Sequence, residues 1–398
     1  MTKPVVGYLV PEFPTQTHIF FWRELRAIEE AGLPLAILST RRPTASCPHA
    51  FADEAVARTD YLMPPRPAEL AAILPSLPRL VLLARRAAAD KGQGGSPRTI
   101  ARLTALAVIG AVLARRAGRR GLRHVHGHSC ADVGYVLAFS RLLGGPRYSL
   151  TLHGDLDVYG DGHAFKFRHA EAVTCVTHAL IDQVRERVGD VGTPLSMIRM
   201  GADLDKFTGW QDRVWSAGGT LRLLTVARLD PFKGHRFALE AIARLVQAGL
   251  DIRYDIVGQG HMRDEIERDI ADLGLVGRVT LHGTRSADQV VDHLLAADAF
   301  VLPSHGLGEA APVSVMEAMG AGLPVICSLI GGTGEMIDDG RTGFLTPQKD
   351  VAALADRMAA LARDTDLRRT IGAAARAHAE AHFSTRGEAA KLMAVIAP

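Results

Sequence analysis

The stretch at 304–326, SHGLGEAAPVSVMEAMGAGLPVI, constrains this chain more than any other. The apolar run AFVLP at 299–303 precedes it and reads as a buried strand. A loop with Gly306, Gly308 and Glu309 follows, and Pro312 suits the first turn of a helix, where its missing N–H costs nothing. The helix carries Val313, Val315, Met316, Ala318 and Met319 and stops near Gly320 and Gly322. Glu317 is expected about two turns from the loop. Strand, glycine loop and helix start together aim backbone N–H groups at an anion. A phosphate would dock there while Glu309 and Glu317 accept hydrogen bonds from sugar hydroxyls. The plainer alternative is an ordinary βα unit with two solvated glutamates.

Seven residues separate Glu309 from Glu317, with Pro312 between them and GAGLPVI after. This pattern resembles the Glu-x7-Glu signature of retaining, nucleotide-sugar-dependent glycosyltransferases of the GT-B fold, family 4. The chain departs from the family at Ala310, where glycine is usual and where a Cβ would crowd the sugar pocket. The resemblance implies an α/β fold: two Rossmann-like domains with parallel sheets facing across a cleft, and a last helix crossing back to the first domain. It places an acceptor-binding domain at 1–207, a donor-binding domain at 208–380 and the returning helix at 381–398.

With 398 residues the chain is long enough for two separate cores. Its 47% hydrophobic and 6% aromatic content suits an α/β protein rich in Ala, Leu and Val. A formal charge of +3 gives no nucleic-acid footprint, so no nucleic acid is expected as a partner. Cys47, Cys130, Cys175 and Cys327 lack C-x-x-C spacing and read as small core residues in a reducing compartment. VVGYLV opens at residue 5 without a basic segment before it, which argues against a signal peptide. No uncharged apolar run reaches bilayer-spanning length; the longest, LTALAVIGAVLA at 103–114, is bracketed by arginines. The expected location is cytoplasmic, with peripheral attachment to the inner face of the plasma membrane as a further option.

In the first half, VVGYLV reads as a strand, PEFPTQTH as a loop, and a helix from near Thr17 turns Phe20, Phe21, Leu25 and Ile28 inward. Thr15, Gln16 and Thr17 would lie at the strand's carboxyl end, facing the crevice of an open α/β sheet. Helix capping by Thr15 and Thr17 is the alternative to ligand contact. This opening resembles the polysaccharide-assembly branch of the same family, where a short hydroxyl-rich loop occupies this place. Residues 64–123 carry many arginines, from Arg79 to Arg123, around a KGQGGSP link at 91–97. They read as two helices, either with solvated basic faces or resting on an anionic membrane surface. His124, His126 and His128 alternate and would share one strand face, a pattern open to Zn²⁺, although Gly127 suggests that the strand has already bent. His153 ends the next strand and matches the family's histidine beside the transferred sugar. Asp155-Leu156-Asp157 imitates the DxD metal motif of another transferase class, in the wrong context.

MGADLDKF at 200–207 resembles the family's boundary segment, and GWQDRVWSAGGT at 209–220 reads as a linker. LRLLTVARLDPFKGH restarts the βα rhythm, with Arg228 and Lys233 beside a helix start that suits a diphosphate. Gly258, in Gly258-x-Gly260, follows another strand, and Gly283 and Arg285 fall in a strand–loop expected beside the nucleobase.

The resemblance thus implies a retaining transferase moving sugar from a nucleotide-diphosphate donor to a saccharide or lipid-linked saccharide acceptor of bacterial surface-polysaccharide assembly. It assigns catalysis to His153, Arg228, Lys233 and Glu309. Donor contacts fall to Thr15, Gln16, Gly258, Gly283, Arg285, Ala311, Pro312, Val313, Ser314 and Glu317. Neither a cofactor nor a metal is expected. A nucleotide-sugar epimerase and a catalytically silent binding protein are the alternative readings.

Overall fold

The computed structural model describes residues 6–44, 47–90, 95–215, 220–306 and 309–397. The chain divides into two compact units, residues 1–199 with 388–398, and residues 200–387.

The first unit is built on the strands β1 (Val6–Glu12), β2 (Leu35–Arg41), β3 (Asp60–Tyr61), β4 (His124–His128), β5 (Arg147–Leu152), β6 (Ala172–Cys175) and β7 (Leu195–Met197). They pair in the order β3-β2-β1-β4-β5-β6-β7, every neighbour parallel. Helices cover both faces of such a sheet, so β1 is apolar on successive residues rather than alternating, whereas β5 alternates, with Ser149 and Thr151 buried on one face. The helix Ile19–Glu30 buries Phe21, Trp22, Leu25 and Ile28, and among them the carboxylate of Glu24. Phe20, expected inward, is only half-buried and lies beside His153. β4 does not bend at Gly127. The glycine is there because a Cβ would stand 2.4 Å from Leu137 Cδ1, on the helix Asp132–Leu142 packed over the strand.

The arginine-rich region forms the helices Leu77–Ala89 and Pro97–Arg120; residues 91–94 of the glycine link lie outside the described residues. One of these arginines is buried, and others pair at the surface. Arg116 is 6% exposed and donates to Glu69 at 2.7–2.8 Å, to Asp60 at 2.7 Å and to the Tyr61 carbonyl at 2.7 Å. Arg79 donates to the Leu142 carbonyl, and Arg102 pairs with Asp132. Two helical stretches, Pro67–Ala89 and Pro97–Arg120, are long and apolar enough to cross a membrane once a charge or two is tolerated, with a mean hydropathy of 1.4 each. The buried Arg116 and the close packing against Asp132–Leu142 are the marks of a core helix in the second of them.

The second unit holds β8 (Thr220–Val226), β9 (Asp251–Val257), β10 (Val279–Gly283), β11 (Ala299–Leu302), β12 (Val325–Ser328) and β13 (Phe344–Thr346). Their order is β10-β9-β8-β11-β12-β13, again all parallel. Successive residues feed opposite faces. Leu223 and Val301 join a core with Tyr254, Ile256 and Met358, whereas Leu224, Phe300 and Leu302 join one with Met316, Met319 and Phe383. Residues 200–207, read above as the close of the first domain, pack here, with Leu204 and Phe207 in the second core. The described part of the 209–220 segment is not a free linker. Arg213 donates to the carbonyls of Leu294, Leu295, Ala297 and Ala321, and its burial lowers its pKa to about 10. Residues 216–219 lie outside the described residues. The last helix, Thr385–Ile396, has residues from 388 onward in the first unit, where Glu388 accepts the Arg199 backbone N–H at 2.9 Å.

The Arg116 cluster sets the acid limb of the first unit's stability. The Arg116 guanidinium holds the Glu69 carboxyl down to about 2, against an ordinary value of 4.5. A depressed carboxylate contributes stability above its unfolded pKa and loses it as pH falls toward its folded value. Urea titrations of an Arg116→Met variant should show a loss of about 3–5 kcal/mol near neutral pH, the cost of leaving buried carboxylates unpaired. The same variant should show a flatter fall in stability between pH 4.5 and 2. A loss below about 1 kcal/mol would return Arg116 to the ordinary surface class.

Candidate functional site

In a parallel sheet whose strand order reverses, the loops leaving the two central strands part and open a crevice at the carboxyl edge. In the second unit those strands are β8 and β11, and the loops that follow them carry Lys233 and Glu309. Lys233 ends the 3-10 turn Pro231–Lys233, which Asp230 caps by accepting the Phe232 N–H at 3.0 Å. The Lys233 ammonium pairs with Glu309 Oε2, and Ser304 Oγ donates to that same oxygen at 2.7 Å. Glu309 is buried and Lys233 half-buried, so the pair is shielded from water. Arg228 is exposed and ion-paired with Asp230 at 3.1 Å. Its carbonyl meets the buried His235 ring at 3.0 Å, and burial lowers the pKa of that imidazole.

The backbone of Glu309 is held from beneath. Gly332 N–H donates to the Ala310 carbonyl at 2.7 Å, and a Cβ on Gly331 would stand 2.0 Å from the Glu309 carbonyl oxygen. Gly331 has φ +52, a conformation glycine adopts at no steric cost. Ala310 is itself buried, against this glycine loop. Gly308 lies outside the described residues.

The helix runs Val313–Gly320, with Pro312 at its N-cap rather than in its first turn, and no side chain caps it. The Val315 N–H donates to the Pro312 carbonyl at 3.1 Å, and the N–H groups of Val313 and Ser314 precede the first intrahelical bond. Ala311, Val313 and Ser314 are half-buried at this end. Glu317 is the fifth helical residue and is buried; it lies about 6 Å, little more than one turn, from the start rather than two. The far end is tied down. Arg213 reaches the Ala321 carbonyl at 2.7 Å and Arg376 reaches that of Gly320, cations where the helix dipole favours them.

Gly258 has φ +154, and a Cβ there would meet the Ala227 carbonyl at 1.8 Å, so the crossing of two strand-end loops demands glycine. Its N–H donates to the Gly283 carbonyl at 3.0 Å, which joins the ends of β9 and β10. Arg285 is half-buried and donates to the Thr284 carbonyl at 3.2 Å.

In the first unit the reversal falls between β1 and β4. Thr15 occupies the N-cap of the turn Gln16–His18, yet its hydroxyl caps nothing and is a buried oxygen without a hydrogen-bond partner among the described residues. The capping expectation fails for Thr15. The Gln16 carbonyl accepts from His49 at 2.8 Å. The three alternating histidines do share a face, and hydroxyls of β5 take up two of them. His124 and His126 both meet Ser149 Oγ at 2.8 Å, and His126 meets Thr151 Oγ1 at 2.8 Å. Among the described residues no group of three or more His, Cys, Asp or Glu side chains is arranged to hold a metal. Asp155 takes Gln183 and Asp157 takes Arg187, so the DxD imitation is bound up in side-chain pairs. His153 meets His128 at 3.0 Å, and burial with the neighbouring His128 and His18 pushes its pKa well below the usual histidine range. A cavity of about 320 Å³ lies at the carboxyl ends of β1, β2 and β4, lined by Arg41, Met63, Leu106, Ile109, Ser129 and Asp132 among others. Sequence reasoning missed Ser304, whose partner is five residues on in the same loop, and Glu24 and Arg213, whose partners lie in other elements; only the unusual Glu24 inside an apolar helix face was visible in advance.

Residues 211–378 match the family described as glycosyl transferases group 1. An Escherichia coli protein named for colanic acid biosynthesis, WcaL, is 35% identical over 189 residues, 45% of this chain and 46% of that protein. The amylovoran biosynthesis glycosyltransferase AmsK of Erwinia amylovora is 35% identical over 195 residues, 48% and 47% of the two chains. These matches thus span just under half the length of either relative. Over the whole chain, the Anabaena protein HepE in complex with UDP-glucose superposes with a TM-score of 0.70 at 17% identity, covering 98% of this chain and 100% of that one. Two parallel Rossmann-like sheets with such neighbours are the GT-B fold. With its matched segment spanning nearly the whole second unit, the chain carries a glycosyl transferases group 1 domain at 211–378.

Proposed function

We propose that this protein is a retaining glycosyltransferase that moves a sugar from a nucleotide-diphosphate donor onto a saccharide acceptor, a lipid-linked one of bacterial surface-polysaccharide assembly. The observation that carries the reading is the meeting of Lys233, Ser304 and Glu309 at the strand reversal of the second unit, alongside the uncapped start of Val313–Gly320. The UDP-glucose held by HepE and the polysaccharide role in the name of AmsK support it.

In this reading the leaving diphosphate sits where its developing charge meets Lys233, Arg228 and the free N–H groups of the helix start. The cations come from the chain itself, and the chemistry proposed requires no metal. Glu317 grips the ribose hydroxyls and Glu309 the donor sugar, with Gly258, Gly283 and Arg285 toward the base. The donor phosphate assists deprotonation of the acceptor on the same face, so the anomeric configuration is retained. The first-unit cavity offers an apolar floor and a charged rim to the acceptor. The protein works at the cytoplasmic face of the membrane. Leu70, Leu74, Leu77 and Leu82 are 41–66% exposed on the stretch that also exposes Arg85 and Arg86.

In the free protein Lys233 is already neutralised by Glu309, so donor phosphate must compete for it. Calorimetry with a nucleoside diphosphate should therefore separate the two residues. Lys233→Ala should weaken binding by about 1.5–3 kcal/mol. Glu309→Gln should release the lysine and tighten binding of the bare nucleotide, while its turnover with the full donor falls. Glu317→Gln should mainly raise the donor KM, because a remote contact supplies uniform binding. Unchanged nucleotide affinity in Lys233→Ala would remove the site. A second test addresses the membrane: binding to anionic vesicles should exceed binding to neutral ones and fall with salt. Salt-insensitive partition, or none, would leave the leucines as an ordinary apolar patch.

A further inference from the structure

A second buried carboxylate lies at the strand reversal of the first unit. Glu24 is 2% exposed on the inward face of Ile19–Glu30. The Tyr8 hydroxyl, from β1, donates to its Oε1 at 2.7 Å. The Nε2 of His128, the last residue of β4, lies 3.3 Å from the same oxygen, off the line of an ideal hydrogen bond. On the other side of that ring, His128 Nδ1 is 3.0 Å from His153 Nε2. Tyr8, Glu24 and His128 are buried, and His153 is the half-buried end of the row. The rings of Tyr8 and Phe21 lie with their centroids 4.5 Å from that of His128 and fix its plane.

With Glu24 ionised and His128 neutral, the row has one consistent arrangement of protons. Glu24 Oε1 already accepts from Tyr8, so a lone pair on His128 Nε2 would face a lone pair; only an N–H there is attracted. Neutral His128 then has a bare Nδ1, which can only accept. His153 Nε2, 3.0 Å away, must carry the hydrogen. That leaves His153 Nδ1 bare. We infer that Glu24, acting through His128, is a positioning group that fixes His153 in the tautomer with a hydrogen-bond-accepting Nδ1, so that His153 selects a substrate group able to donate, such as a sugar hydroxyl or amine. The selection of a sugar group rests on the proposed function; the tautomer rests on the row alone. When a proton is added at His153 Nδ1, the Nε2 proton can pass to His128 Nδ1, where the imidazolium faces the Glu24 carboxylate and charge is conserved. The other titratable groups around the pair are His18, His126, Tyr8 and Tyr159. His18 and His126 are lowered by burial, so they remain neutral neighbours at pH 7, and the two tyrosines are raised by burial and remain protonated.

The test is long-range proton–nitrogen NMR of the full chain with labelled histidine, the His153 signals being assigned by their loss in a His153→Gln variant. At neutral pH the wild type should show a protonated Nε2 and a bare Nδ1 on His153; a protonated Nδ1 overturns the inference. Glu24→Gln should mix or reverse that tautomer and shift the pair's apparent pKa down by about one unit, since an opposite charge at this distance favours the protonated form. Tyr8→Phe removes a hydroxyl but keeps the carboxylate, and should leave the tautomer as it is. If Glu24→Gln does not fold, the wild-type and Tyr8→Phe spectra still decide. An unchanged tautomer in a folded Glu24→Gln variant also overturns the inference. If the tautomer is as described but no nucleotide sugar is turned over, the proposed function fails and the relay stands.

Discussion

Parallel pairing is the constraint on which everything else here depends. Two parallel strands cannot be joined by a tight turn, so each pair needs a crossover, and every crossover leaves from the carboxyl edge. Where the order reverses, between β1 and β4 in one unit and β8 and β11 in the other, successive loops turn away from each other. The clusters around Glu24 and Glu309 both form at these places, where the topology opens the edge. Lys233 and Glu309 are 76 residues apart in sequence and meet for this reason.

The second-unit site combines rigidity with an unfilled end. Arg213 and Arg376 fasten the carboxyl end of Val313–Gly320, and the amino end has no cap. A helix fixed at one terminus keeps the N–H groups of the other aimed, and an anion there meets them without rearrangement. The same logic explains the shielding of Glu309. Its charge is shared between an ammonium and a hydroxyl, and the loop at Gly331 and Gly332 holds the backbone beside it, so it stays ordered until a ligand competes for those partners.

What the sequence made legible follows a physical boundary. Local signals carried the βα rhythm, the helix start at Pro312 and the candidates Arg228, Lys233, Glu309 and Glu317, because each depends on neighbours within a few residues. Misreadings arose where the deciding partner is remote. Arg116 reads as a solvated arginine until Glu69 and Asp60, 47 and 56 residues away, close on it. Arg213 reads as part of a linker until four carbonyls, 81 to 108 residues on, receive it. Gly127 reads as a bend, and Leu137 on the covering helix is the actual reason for it. The histidine face of β4 was legible as alternation, but not the Ser149 and Thr151 hydroxyls that occupy it.

The two reversal points solve the same electrostatic problem with different groups. Each buries a glutamate whose charged form would be costly alone. Each supplies it with a hydroxyl donor, Ser304 for Glu309 and Tyr8 for Glu24. The third partner differs. Beside Glu309 it is a lysine, a fixed positive charge that a phosphate can claim. Beside Glu24 it is His128, whose charge can change and whose second nitrogen passes the consequence to His153. A fixed cation suits a ligand that arrives with its charge, whereas an imidazole row suits a group that must be told which way its proton points. The same strand topology thus places a charge-binding cluster in one unit and a proton-ordering one in the other.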